Sequence, residues 1–201
     1  HGIMVSAMKA KQTTDLAHIA SLKEGVATFR TLYMGKDAQA HLQEEHGPNH
    51  KEEVKLSKAT EGGPEPVDTR DFFAGRKVAL FAVPGAFTPT CSAKHLPGFA
   101  EKAEELKAKG IDEIACISVN DAFVMGAWKK ADGSEDITML ADGNGEFAEA
   151  IGLTMDGSGF GMGKRSQRYS MIVDDGEVRK LNVEQPGDFS VSSAEHMLGQ
   201  L

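Results

Sequence analysis

Cysteine is scarce in this sequence of 201 residues: Cys91 and Cys116 are the only two. Two are too few for a disulfide framework, and they do not form the close pairs of a zinc site. A reducing compartment is therefore expected, and we take the cytoplasm as the expected location. Positive charge is also in short supply. Lys and Arg total 22 against 30 for Asp and Glu, and the formal net charge of -8 would repel phosphate backbones and anionic headgroups. Nucleic acid and membrane surfaces are thus excluded as expected partners. Long apolar runs are missing too. Stretches such as residues 78–84 fall far below the roughly 18 to 20 residues that a membrane span needs, and no charged-then-apolar leader stands before Met8. The reading is of a soluble protein.

What is present suffices for one substantial core. Hydrophobic residues make up 40% of the chain, which fits one compact domain better than two. The chain opens on His1, so His1, Gly2 and Ile3 read as an expression remnant, with the natural start at Met4 or Met8. Residues 1–50 form an N-terminal extension and residues 51–201 the main domain. Within the extension, Ile19, Leu22, Val26 and Phe29 recur at roughly helical spacing, which Gly25 weakens. His41, His46 and His50 lie among Gln43, Glu44 and Glu45 beside a Gly-Pro-Asn breaker. They read as a solvated polar tract, and no metal is assigned.

Beyond Gly62-Gly63-Pro64 the pattern becomes regular. A short helix over 69–74 ends at Gly75, and the apolar run 77–83 reads as a buried strand. A turn over 84–90 precedes a helix over 91–109, with Leu96, Phe99, Ala103 and Leu106 on one face and Gly110 as its stop. Strands over 114–119 and 137–140 alternate with helices over 122–130 and 145–151. Strands over 169–173 and 178–183 flank Asp175-Gly176, a strong hairpin signal, and Ser192 with Glu195 forms a capping box for a last helix. The class is mixed α/β.

One position in this pattern carries chemistry. Cys91 stands where a strand and turn pass into a helix, so unpaired N–H groups and the positive end of the helix dipole would face its sulfur and favour the thiolate, the reactive form. The turn before it, Pro84-Gly85-Ala86-Phe87-Thr88-Pro89-Thr90, joins two prolines that fix φ to a glycine that allows close backbone approach. That suits a small rigid pocket into which Thr88 can donate a hydrogen bond. From position alone, a buried inert cysteine at a helix start is as good a reading.

The local sequence shifts the balance. PGAFTPTCS over 84–92, followed by AKHLPGF, closely resembles the active-site segment of type II peroxiredoxins, also called the peroxiredoxin-five subfamily. ACISVNDAFVMGAW, LADGNGEF, RSQRYSMIVDDG and NVEQPGDFSVSSAE extend the resemblance over roughly residues 52–201. It implies a thioredoxin-like fold of the AhpC/TSA (redoxin) superfamily, with a central mixed β-sheet flanked by helices. It also implies a thiol-dependent, antioxidant peroxidase acting on hydrogen peroxide and organic hydroperoxides, in which Cys91 becomes a sulfenic acid. Thr88 and Arg168 map onto the residues that hold the peroxide oxygens, and Pro84 shields the pocket. Gly85 and His95 support the site; His95, one helical turn after Cys91, could tune the thiolate or pack against the turn. Lys164 and Arg165 read as surface charges. Homodimerisation through Phe87 and the 123–128 helix is implied by the same resemblance.

Regeneration of Cys91 is left to three routes. Cys116 lies inside an apolar strand, where a buried packing cysteine is the natural reading, although plant members of the subfamily carry a second cysteine at this spacing. Resolution by Cys116 would require the strand to open, and would suit thioredoxin as reductant. The 189–194 stretch, where animal members place a resolving cysteine, has none. The expected route is therefore an external thiol, glutathione or glutaredoxin, through a mixed disulfide. No cofactor is implied. Cys-x-x-Cys exchange is excluded because Lys94 stands three positions after Cys91. Gly157, Gly159, Gly161 and Gly163 do not complete a phosphate loop and read as a flexible loop. A redox sensor or chaperone-like module using the same oxidation is the non-enzymatic alternative.

Overall fold

The computed structural model describes Val54 and residues 56–201. The 1–50 extension, its three histidines and its 19–29 helical pattern lie outside the described residues. Among the described residues nine strands come in chain order: β1 (Leu56–Thr60), β2 (Gly63–Val67), β3 (Lys77–Ala82), β4 (Glu113–Ser118), β5 (Thr138–Ala141), β6 (Thr154–Asp156), β7 (Lys164–Ser166), β8 (Tyr169–Asp174) and β9 (Glu177–Val183). Seven form one sheet in the order β2-β1-β5-β4-β3-β8-β9. The β3-β4 and β4-β5 pairs are parallel, and the rest of the sheet is antiparallel. This is the thioredoxin-like architecture expected: a mixed sheet with helices on both faces.

Alternation along β3 shows how two cores arise from one apolar run. Ala79 and Phe81 join one core with Cys116 and Met139, while Val78, Leu80 and Ala82 join the other with Ala115 and Ile117. Because side chains alternate across a strand and both faces are covered, the central strands read as continuous apolar runs. The first core is closed by the helical segments α2 (Leu96–Glu101), α3 (Ala103–Ala108), α4 (Ala122–Asp132) and α6 (Ala194–Leu198). The second is closed by α1 (Thr69–Phe73) and α5 (Glu146–Ala150), through Phe72, Phe73 and Phe147.

Two expectations need correction. The helix over 91–109 is not continuous: Cys91–His95 is a π-helical turn whose end is marked by Leu96 N–H bonding to the Cys91 carbonyl, and the α segments after it break at Lys102. Pro97 explains the wide turn, since it has no N–H to close an α-helical bond onto Ala93. The cap of α6 is Ser193, whose hydroxyl accepts from His196 N–H, because Ser192 is committed elsewhere. The glycine-rich stretch is a loop with a short 3-10 turn, Ser158–Phe160, at its centre. β6 and β7 pair antiparallel around it, and Gly157 N–H reaches the Gly163 carbonyl at 2.7 Å. Finally, the β1-β2 hairpin adds an edge the sequence did not announce, with Pro64 and Pro66 on the outer strand, where a missing N–H breaks no ladder. The Asp175-Gly176 hairpin forms as expected, with φ of 48° and 76°, both positive as a tight hairpin turn requires.

Candidate active site

Cys91 is fully buried at the start of the π turn. Strand β3 delivers the chain to the active-site turn, and Ser92 N–H closes onto the Thr88 carbonyl at 3.0 Å, which ties that turn to the first helical residues. Gly85 sits at a close approach: a Cβ there would stand 3.1 Å from Thr88 Cγ2 and 3.5 Å from an Arg165 nitrogen. Ala86 N–H donates to Asn120 Oδ1 at 3.0 Å, so the loop after β4 holds the turn from outside. Phe87 has a φ of 61°, a left-handed conformation unusual for a bulky residue and 55% exposed.

Arg168 comes from the junction of β7 and β8 and meets Cys91 across the fold. Its Nη2 donates to Cys91 Sγ at 3.3 Å and its Nη1 to His95 Nδ1 at 3.0 Å. The guanidinium also lies over the Phe189 ring, 5.8 Å from its centroid. Thr88 is placed differently from expectation. Its hydroxyl donates to the Gly85 carbonyl at 2.7 Å, so toward the pocket it can only accept. Pro84, Thr90 and Arg168 line a cleft of about 490 Å³, whose outer wall includes Met155, Phe160 and Met162.

His95 stands behind Arg168. It is fully buried and packs against Phe81 and Phe99, and it bonds at both ring nitrogens. Arginine cannot accept, so Nδ1 must carry the lone pair and Nε2 the proton, which is donated to the Ser192 carbonyl at 3.0 Å. Burial, and then the Arg168 charge, lower its pKa from 6.5 to about 3, against the opposing Ser192 bond. The linkage has a definite sign. Between pH 6.5 and about 3 the unfolded chain binds a proton at this histidine that the folded chain refuses, so stability is lost as pH falls, by about 1.4 kcal/mol per pH unit. Urea titrations of the native protein and His95→Asn from pH 7 downward should show this extra slope only in the native protein. Asp142, whose carboxyl burial raises, contributes the opposite slope, but equally in both proteins. Parallel curves would contradict the assignment.

Cys116 sits in β4 opposite Phe81 and Met139, with no exposure. Burial, then the neighbouring Cys91 charge, push its thiol well above the ordinary range, only partly opposed by Arg168. Both cysteines are free. Lys164 is a surface charge, paired with Glu149 at 3.0 Å. Arg165 is not: its Nε donates to the Met162 carbonyl at 2.9 Å and its Nη1 to the Val119 carbonyl at 3.0 Å. It fastens the β6-β7 hairpin to the loop behind the active-site turn. Asn120, Arg165 and the backbone of Ser192 escaped the sequence reading, because each acts through contacts between distant segments.

The arrangement is a buried sulfur under a two-pronged cation, beside a small cleft, with a neutral histidine behind the cation. Such a site can hold an anionic sulfur and offer N–H donors to an oxygen-bearing substrate. Comparison with known proteins gives the family. The Redoxin family model matches residues 42–198. The chain is 58% identical over 139 residues to Peroxiredoxin-2E-2, chloroplastic, of Oryza sativa, covering 67% of this chain and 62% of that one. It is 55% identical over 129 residues to Peroxiredoxin-2B of Arabidopsis thaliana, covering 64% and 80%. The chain thus spans less than two thirds of the rice protein's length. Among solved structures, reduced Prx3 of Vibrio vulnificus in complex with hydrogen peroxide is 56% identical with a TM-score of 0.71, covering 74% of this chain and 93% of that one. Peroxiredoxin 5 of Alvinella pompejana is 37% identical with a TM-score of 0.63, covering 73% and 90%.

Proposed function

Since this chain belongs to the redoxin family, as a peroxiredoxin of the AhpC/TSA superfamily, we propose that it is a thiol-dependent peroxidase with Cys91 as its nucleophile. The observation that carries the reading is the 3.3 Å contact from Arg168 Nη2 to Cys91 Sγ. The Cys91 thiolate attacks the terminal oxygen of ROOH; the O–O bond breaks, sulfur is oxidised by two electrons to the sulfenic acid, and RO⁻ takes up a proton and leaves as ROH. Arg168 donates to the developing negative charge. Thr88 accepts from the peroxide O–H, since its own proton is engaged on Gly85. Pro84 closes one side of the cleft.

Regeneration is proposed to use an external thiol. Glutathione or glutaredoxin attacks the sulfenic sulfur, water leaves, and a second thiol releases the mixed disulfide and restores Cys91. The burial of Cys116 in a central strand favours this over an internal disulfide with thioredoxin as reductant. Cys116→Ser is expected to keep peroxide turnover within about twofold with glutathione and glutaredoxin, a conservative change in a packed site. Turnover supported only by thioredoxin, and lost in Cys116→Ser, would reverse the assignment. The proposal also includes a homodimer, for which exposed Phe87, beside Trp128, and exposed Phe123 offer apolar surface. It includes residence in a reducing compartment, the cytoplasm, consistent with two free thiols; two of the relatives are named as chloroplastic.

A further inference from the structure

The hydrogen bonds behind Arg168 do not end at His95. The Ser192 carbonyl that receives the His95 proton belongs to the irregular segment between β9 and α6. One carboxylate takes three bonds from that segment. Glu184 is 6% exposed, and its Oε1 accepts from Ser190 N–H at 2.6 Å, Ser192 N–H at 2.8 Å and the Ser192 hydroxyl at 2.9 Å. Its own N–H donates to the Arg168 carbonyl at 3.0 Å. Glu184 is therefore joined to Arg168 twice: directly through the backbone, and through Ser192 and His95 to the guanidinium. Phe189, in the same segment, lies 5.0 Å from the His95 ring and under the Arg168 guanidinium.

The direction of dependence follows from donor chemistry. Arg168 has only donors, so His95 must present a lone pair at Nδ1, and the proton forced onto Nε2 needs an acceptor in a buried place. The Ser192 carbonyl is that acceptor. If it moves, the tautomer is no longer fixed, and the other tautomer would point an N–H at the guanidinium. The partner on one ring nitrogen sets what the other can do. A carboxylate taking three bonds from the strap, two of them from Ser192, decides where that carbonyl stands.

We propose that Glu184 is a positioning residue for the peroxide reaction: by strapping residues 184–192 through its Oε1, it fixes the His95 tautomer that receives Arg168 and so sets the guanidinium against Cys91. The effect on rate rests on the peroxidase reading; the effect on the tautomer does not.

The test measures single-turnover reduction of hydrogen peroxide by Trp128 fluorescence in the full chain, comparing native protein, Glu184→Ala, Glu184→Gln and His95→Ala, with the Glu184→Ala/His95→Ala pair. Glu184→Ala should slow the reaction by about 10- to 100-fold, the scale of a small misplacement at a reacting centre. Glu184→Gln, which keeps an accepting oxygen, should recover to within about fivefold of native. In the His95→Ala background the further loss should shrink to less than about twofold, since the route through His95 is already cut. Native speed in Glu184→Ala, or the same fractional loss in both backgrounds, would overturn the proposal. Should Glu184→Ala not fold, Ser192→Ala, which removes one of the three donors, carries the same comparison with about threefold expected. Ring ¹⁵N shifts of His95 supply a readout independent of peroxide: a single Nε2–H tautomer in the native protein and a mixture in Glu184→Ala. Unchanged shifts would overturn the proposal even with turnover intact, whereas a native protein without turnover but with the expected shifts would fail the peroxidase reading alone.

Discussion

Cys91→Ser should abolish peroxide turnover, by at least ~10³-fold in kcat/KM, while leaving the fold intact. The exchange removes little volume from a site that is already closed, so the helix start, the Arg168 contact and the flanking turn have no reason to rearrange. What disappears is chemistry. A serine hydroxyl stays protonated where a thiol ionises and cannot pass through the sulfenic acid. Cys116 cannot stand in for it. Its thiol lies within a central strand, paired on both sides, and burial pushes it well above the ordinary range, away from the thiolate that attacks. Peroxide consumption with glutathione, glutaredoxin and its reductase measures this directly. A mutant retaining a tenth of the native rate would place the nucleophile elsewhere.

Arg168→Ala should lower kcat/KM for peroxide by about 10² to 10³, or about 2.7 to 4 kcal/mol of transition-state stabilisation. Two contributions are lost together. The N–H donors aimed at the sulfur and the cleft vanish, and His95 Nδ1 is left without its donor in a buried place. Arg168→Lys tests the geometry separately from the charge. A lysine ammonium is a point donor on a flexible stem and cannot reproduce a planar fork that spans Sγ and Nδ1. It should therefore recover no more than about tenfold of the loss. Steady-state turnover over a range of peroxide concentrations decides it, and a lysine variant at full native rate would show that charge alone suffices.

Much of this was legible in the chain itself, for identifiable reasons. The central strands are buried on both faces, so they stand out as apolar runs at 77–83 and 114–119, and Asp175-Gly176 declares its hairpin. The candidate site residues Cys91, Thr88 and Arg168 lie in short stretches, PGAFTPTCS and RSQRYS, that can be recognised locally. What the sequence hid depends on contacts made across the fold. His95 acquires its tautomer only because residues 168 and 192 arrive at opposite sides of its ring. Arg165 looks like a surface charge beside Lys164 until Val119 and Met162 close on it. Ser192 fits a capping box by spacing, yet Ser193 makes the cap because the Ser192 hydroxyl is drawn to Glu184. The π turn had a local signal in Pro97, which a purely periodic reading of 91–109 overrides.

The central claim, that Cys91 is oxidised by peroxide to a sulfenic acid in this pocket, is tested most directly by trapping that acid. The reduced protein is given one equivalent of hydrogen peroxide with dimedone present, digested, and its cysteine peptides are weighed. We expect the dimedone adduct on the peptide containing Cys91, none on the Cys116 peptide, and none on either in Cys91→Ser. An adduct confined to Cys116, or no adduct with peroxide left unconsumed, would contradict the account.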